Sequence, residues 1–230
     1  MPPDASALQL VFSDDPGLFA IVRLSLAVSL SAVLIAALIG VPFGALVALT
    51  RFPGRAAVIV VINASMGLPP VVVGLAVYLL LSRSGPLGAW GILFTPQAMV
   101  IAQTILVAPI VAALARQTIE DLWVEYRDEL AAMSIGPTRR IATLLWDARF
   151  SLLTALLAGF GRAAAEVGAI IIVGGNIDGF TRTMTTAIAL ETSKGDLPLA
   201  IGLGMVLIAI VVVVNALAWT ARRAGERFAE

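Results

Sequence analysis

The chain has 230 residues, 60% of them hydrophobic and 13% charged, and its 15 basic and 15 acidic side chains balance to a formal net charge of zero. A soluble domain carries about a quarter charged residues, so this composition describes an integral membrane protein. Cysteine and histidine are both absent, which removes disulfides, thiol chemistry and imidazole-based metal or general-base sites, and no basic run asks for nucleic acid.

Residues 1–17 hold Asp4, Asp14 and Asp15 but no Lys or Arg, so they lack the basic start of a secretory signal and read as an extracytoplasmic tail. A first span is expected over 18–50. It is uncharged from Leu24 to Thr50, with Arg23 at its entrance and Gly40, Pro42 and Gly44 in its second half. Those three residues predict a kink or a close helix contact. After the basic turn Arg51–Arg55, a second span over 56–82 carries Gly67-Leu68-Pro69-Pro70 at its middle. Each proline lacks a backbone donor and pushes the residue before it out of helical dihedrals, so a broken helix is expected. Irregular backbone at membrane depth is tolerated where protein buries it or where it lines a watery cavity. Gly67, Pro69 and Pro70 are therefore candidate pathway elements, with simple kinking as the alternative.

The third span, 96–115, contains Pro109 and leads into a polar interval over 116–149, the one long charged stretch of the chain. It reads as a water-facing docking loop. Ala131 and Ala132 lie on a predicted helix stopped by Gly136 and Pro137. Their small side chains let a partner approach the backbone, while neighbouring charges such as Glu129 fix its orientation. An ordinary solvated loop is the plainer reading.

A fourth span over 150–173 holds the only charges lodged within a span, Arg162 and Glu166. Four residues apart, they share a helix face and can pair. An unpaired Arg at mid-bilayer costs about 2.5–3.5 kcal/mol on insertion scales, so the pair is expected to face the protein interior. Structural pairing and a role along a solute route both remain open. The outer segment 174–196 is too polar to span and too apolar for a free loop, which predicts a short, partly buried helix. Its Thr181, Arg182, Thr183, Thr185 and Thr186 could donate hydrogen bonds to a passing anion. The alternative is that the threonines cap helices and bond nearby carbonyls.

The fifth span is expected over 197–220, followed by a tail at 221–230. Ten Lys or Arg residues flank one set of span ends (51, 55, 116, 127, 139, 140, 149, 222, 223, 227) and four the other (23, 83, 182, 194). By the positive-inside tendency the N-terminus is outside, and the 116–149 interval and C-terminus are cytoplasmic. The expected fold class is thus all-α, a polytopic membrane protein of about five transmembrane helices.

The run Leu130-Ala131-Ala132-Met133-Ser134-Ile135-Gly136 resembles the coupling loop of ABC importer permeases, whose pattern is Glu-Ala-Ala, three residues, then Gly. Leu130 stands where that pattern has Glu, and Glu129 lies one position earlier. The runs Gly161–Ala169, Val173–Ile177 and Thr181–Ile188 resemble the region after the coupling loop in molybdate and tungstate importer permeases. Trp146–Arg149 and Ala189–Asp196 look most like the tungstate permease.

The resemblance covers residues 18–220 and implies a type I importer permease. Such a subunit is a homodimer in the lipid of a prokaryotic cell membrane, with two cytoplasmic ABC ATPase subunits and an extracytoplasmic oxyanion-binding protein. It implies transport without an ATPase site on this chain, ATP being bound by the partner, and no cofactor or metal. Glu129, Ala131, Ala132, Gly136 and Pro137 would couple to the ATPase. Tungstate is the expected substrate, with molybdate or sulfate as alternatives.

A stand-alone ion-coupled secondary carrier would also suit broken helices and an intramembrane Arg/Glu pair, but would predict an internal repeat that the sequence lacks. An intramembrane enzyme would need a nucleophile with its base, or clustered metal ligands, within the spans.

Overall fold

The computed structural model describes residues 16–133 and 136–227. Most of the expected N-terminal tail, Ser134 and Ile135 of the coupling run, and the last three residues of the C-terminal tail lie outside the described residues. Among those described, the chain is helical: α1 Pro16–Leu49, α2 Arg55–Ser65, α3 Pro70–Leu81, a short 3-10 turn Gly88–Trp90, α4 Pro96–Ala132, α5 Pro137–Asp147, α6 Arg149–Ala164, α7 Gly168–Gly174, α8 Met184–Lys194 and α9 Leu197–Arg227. Three of these are long and apolar enough to cross a membrane, over Pro16–Leu49, Pro96–Ala132 and Leu197–Thr220. The number rises to as many as five if each of two bent helix pairs forms one span.

The first span is a single helix despite Pro42. One missing donor does not end a helix in a setting without competing water, even with Gly40 and Gly44 beside it. The Gly67–Pro70 stretch does break the second: α2 stops at Ser65, and Pro70 opens α3, where its absent N–H would have had no partner.

The third helix does not stop at Ala115. It continues for seventeen more residues to Ala132, through half of the interval expected as a loop. At about 1.5 Å per residue α4 is about 55 Å long, against a hydrocarbon core of about 30 Å, so its charged end stands clear of the bilayer as a rigid extension. The fourth span is also not continuous. Its helix ends at Ala164 and restarts at Gly168, so Glu166 falls in the break.

The chain forms two compact units. One comprises Met1–Ala32, Pro69–Gln103 and Gly161–Glu230, and the other Val33–Leu68 and Thr104–Phe160. In the second unit, Gly40 and Gly44 bring α1 onto α4 at backbone distance. A Cβ at Gly44 would lie 2.5 Å from the Ala112 carbonyl oxygen, and one at Gly40 would lie 3.0 Å from that of Ala108. Only residues without a side chain permit this approach. The same unit buries Ala45, Ala48, Ala115, Ile119, Leu130, Leu144, Ala148 and Leu152 in one cluster, with Trp123 and Tyr126 packed against it. Ile119, Trp123, Tyr126 and Leu130 recur at intervals of three and four residues. This is the apolar stripe that folds the polar end of α4 as a helix and holds it against α5 and α6.

Candidate functional site

The end of the α4 extension carries the run that resembles a coupling loop. Glu129, Ala131, Ala132 and Met133 are exposed, whereas Leu130 between them is only 5% exposed and belongs to the buried cluster. Leu130 thus anchors the tip, and the residues on either side of it form the accessible face. Gly136 is exposed and precedes α5, which Pro137 opens; the side chain of Pro137 lies outside the described residues.

α5 and α6 meet at 68°. At their corner the Arg149 guanidinium lies 4.8 Å from the Trp146 ring and 4.6 Å from the Phe150 ring. The Glu125 carboxylate, with partial desolvation and the charges of Asp147 and Glu129, holds the Tyr126 phenol above its ordinary pKa. Carboxylates therefore set the field at Tyr126, while Arg140 and Arg149 stack on the neighbouring Trp123 and Trp146 rings.

The base of the extension is fixed by ions. Glu120 accepts from Arg55 at 2.9 Å and pairs with Arg116 one turn before it, while Arg55 Nε donates to the Val47 carbonyl at 2.8 Å. The start of α2, the end of α1 and α4 are thereby joined where α4 passes from apolar to charged sequence.

The second candidate region is the break between α6 and α7, inside the first unit. Breaking a helix at membrane depth strands carbonyls on one side and amides on the other. Here the protein supplies their partners. Gln103 Nε2 donates to the Ala163 carbonyl at 2.8 Å, Glu166 Oε1 accepts from the Ala169 amide at 3.1 Å, and the Thr185 hydroxyl donates to the Glu166 carbonyl at 2.8 Å. The other carboxylate oxygen of Glu166 accepts from Arg162 at 2.9 Å. Glu166 is 2% exposed, and the Arg162 side chain 31%.

Glu166 therefore pairs with Arg162, as the spacing predicts, and also accepts from the first turn of α7, which the spacing does not reveal. The restart is also packed tightly, since a Cβ at Gly74 of α3 would lie 2.8 Å from Ala169 Cα.

The outer polar segment is likewise organised by its own backbone. Thr181 Oγ1 donates to the Gly174 carbonyl at 2.5 Å and accepts from the Ile177 amide at 2.9 Å. Thr183 caps α8 in a reciprocal arrangement with Thr186. Ser25 of α1 accepts from the Met184 amide at 2.8 Å. All four threonines are buried, and their hydroxyls serve caps and carbonyls. Of the residues expected as anion donors, this leaves Arg182, whose guanidinium pairs with Asp178 at 2.9 Å. Gly67 and Pro69 lie exposed at the α2–α3 break, whose amides bond only within local turns.

Sequence reasoning missed Gln103, Ser25 and the Glu120 cluster. A signal existed for Gln103, a lone amide deep in an apolar helix, which has to find a partner there. Among the described residues no group of acidic side chains could hold a metal ion.

Long apolar helices, helix breaks satisfied by side chains and one charged helical projection define a multi-pass α-helical membrane protein. Comparison with protein-family models finds no match. Among curated proteins, the chain is 45% identical over 207 residues to a probable anion ABC transporter permease protein of Haloferax volcanii, covering 87% of this chain and 88% of that one. It is 38% identical over 215 residues to the tungstate uptake system permease protein TupB of Peptoclostridium acidaminophilum, covering 94% of each. The molybdenum transport system permease protein ModB of Escherichia coli is 29% identical over 220 residues, 90% of this chain and 94% of that one. The chain belongs to the ABC transporter permeases.

Proposed function

We propose that this chain is the membrane subunit of an ATP-driven, binding-protein-dependent importer of a tetrahedral oxyanion, with tungstate as its substrate. The observation that carries this reading is the 38% identity to a tungstate uptake permease across 94% of both chains, against 29% to a molybdenum permease. Molybdate is the second candidate, since the two anions share shape and charge.

Two copies form the translocation pathway in a prokaryotic cell membrane, N-terminus outside. Two cytoplasmic ATPase subunits dock on the α4 tips, and an extracytoplasmic binding protein selects and delivers the anion. ATP is bound by the ATPase subunits, and this chain needs no cofactor. Glu129, Ala131, Ala132, Gly136 and Pro137 form the docking face. The rigid helix behind it supports the reading, because a movement imposed at the tip reaches the span without a flexible link.

The test is uptake into proteoliposomes that contain this chain, its ATPase and its binding protein, with tungstate, molybdate and sulfate in competition. The expected result is ATP-dependent uptake that needs all three components and prefers tungstate. Uptake by this chain alone, driven by an ion gradient, would replace the importer reading with that of a secondary carrier.

A further inference from the structure

The first unit contains a cavity of about 340 Å³, lined by Arg23, Ala20 and Leu24 of α1 and by Asp178, Gly179 and Arg182 of the segment before α8. Its two walls are fixed to each other by the Ser25 bond to the Met184 amide, which lies between the arginine-bearing stretches.

The cavity holds two guanidinium groups and one carboxylate. Arg23 has no ion pair among the described residues. Arg182 is 20% exposed, and its Nε–H is buried without an acceptor among the described residues, while the Asp178 carboxylate that holds its other end is 79% exposed. The positive partner is thus held by the protein, and the negative one is loosely held and easily displaced. Planar guanidinium forks bind oxyanions through paired N–H donors, and the open mouth of the cavity gives a solute access to both.

We propose that this cavity is an oxyanion site, in which Arg23 and Arg182 hold a tetrahedral dianion and Asp178 competes with it for Arg182. The excess of one positive charge admits the anion. The competing carboxylate keeps the hold weak enough for release, which a conduction site needs. The site rests on the importer reading for the identity of its anion.

The experiment is calorimetric titration of tungstate into the full chain in lipid nanodiscs, at low and high salt, with molybdate and sulfate as further probes. Arg23 and Asp178 are both exposed, so Arg23→Gln and Asp178→Asn leave the packing intact, which elution as a single species checks. Saturable binding is expected, weakened about tenfold by Arg23→Gln and tightened severalfold by Asp178→Asn, since the guanidinium then has no internal rival. A merely structural Asp178–Arg182 pair would give no tightening.

Absence of binding for all three anions, an Arg23→Gln chain that binds as the wild type does, or an Asp178→Asn chain that binds more weakly would each overturn the site. Uptake in the three-component proteoliposomes separates the two ideas. Tungstate uptake with no binding in the cavity removes the site and leaves the importer reading standing. Opposite responses of the two variants without tungstate uptake remove that reading and leave the site standing.

Discussion

Glu166 is the residue on which the largest number of separate requirements meet. Spacing alone suggests a simple exchangeable pair, in which reversing both charges restores what either reversal loses. The bond from the Ala169 amide rules this out, because an arginine at position 166 has no acceptor to offer. The double exchange of Arg162 and Glu166 is therefore expected to remain as defective as the single reversals. Glu166→Gln, which keeps a carbonyl oxygen for the amide, is expected to retain more folded protein than Glu166→Ala. Loss of the carboxylate altogether is expected to cost about 3 kcal/mol, the scale of breaking a buried pair, read as a fall in thermal unfolding midpoint in detergent. Leu130 supplies a second expectation at this scale. Leu130→Glu restores the residue of the coupling pattern but puts a carboxylate into an apolar cluster. It is expected to destabilise the chain by about 3 kcal/mol, whereas Glu129→Gln, at an exposed position, leaves the unfolding midpoint unchanged.

At the scale of elements, the sequence was most legible where backbone chemistry left one option. The broken second span follows from Pro69 and Pro70, and the helix of the outer segment follows from its apolar content and its Thr183 cap. The extension of α4 is harder to see because a charged stretch after a span reads as loop. Its stripe of Ile119, Trp123, Tyr126 and Leu130 lies at helical spacing, and no glycine or proline interrupts the chain between Pro109 and Gly136. The break after Ala164 had no local mark. Ala163, Ala164 and Ala165 favour helix, and what ends it is partners distant in sequence, Gln103 and Thr185. Tertiary hydrogen bonds overrode local propensity there. The α1–α4 contact yields a graded prediction. Gly44→Ala is expected to cost more than Gly40→Ala, within about 1–3 kcal/mol, because its new methyl meets a backbone oxygen at 2.5 Å rather than 3.0 Å. Gly136→Ala, with nothing within 4 Å of its Cβ, is expected to shift stability by less than about 0.5 kcal/mol. Thermal unfolding of the three variants side by side checks the order.

For the whole molecule, the candidate site was legible to different depths. The small residues and the stop signal after them mark an exposed helix tip, and Ala131, Ala132 and Gly136 are exposed there; the docking proposed for it rests on that local pattern. The threonines of the outer segment could not be sorted into anion donors and caps, because both uses ask for the same hydroxyls at similar spacing. The two interruptions of the bundle also separate in a way that time reveals. Between Ser65 and Pro70 the amides of Met66, Gly67 and Leu68 reach only carbonyls three residues back, and Gly67 is exposed. Between Ala164 and Gly168 the chain is braced from three sides, and Ala163, Glu166 and Ala169 are buried. In deuterated buffer the first stretch is expected to exchange its amide hydrogens within seconds, and the Ala169 amide, held by the buried Glu166 carboxylate, to keep its own for hours. Since exchange needs water as well as opening, a fast clock at 66–68 would place solvent beside Gly67. A slow one, matching Ala169, would place lipid there.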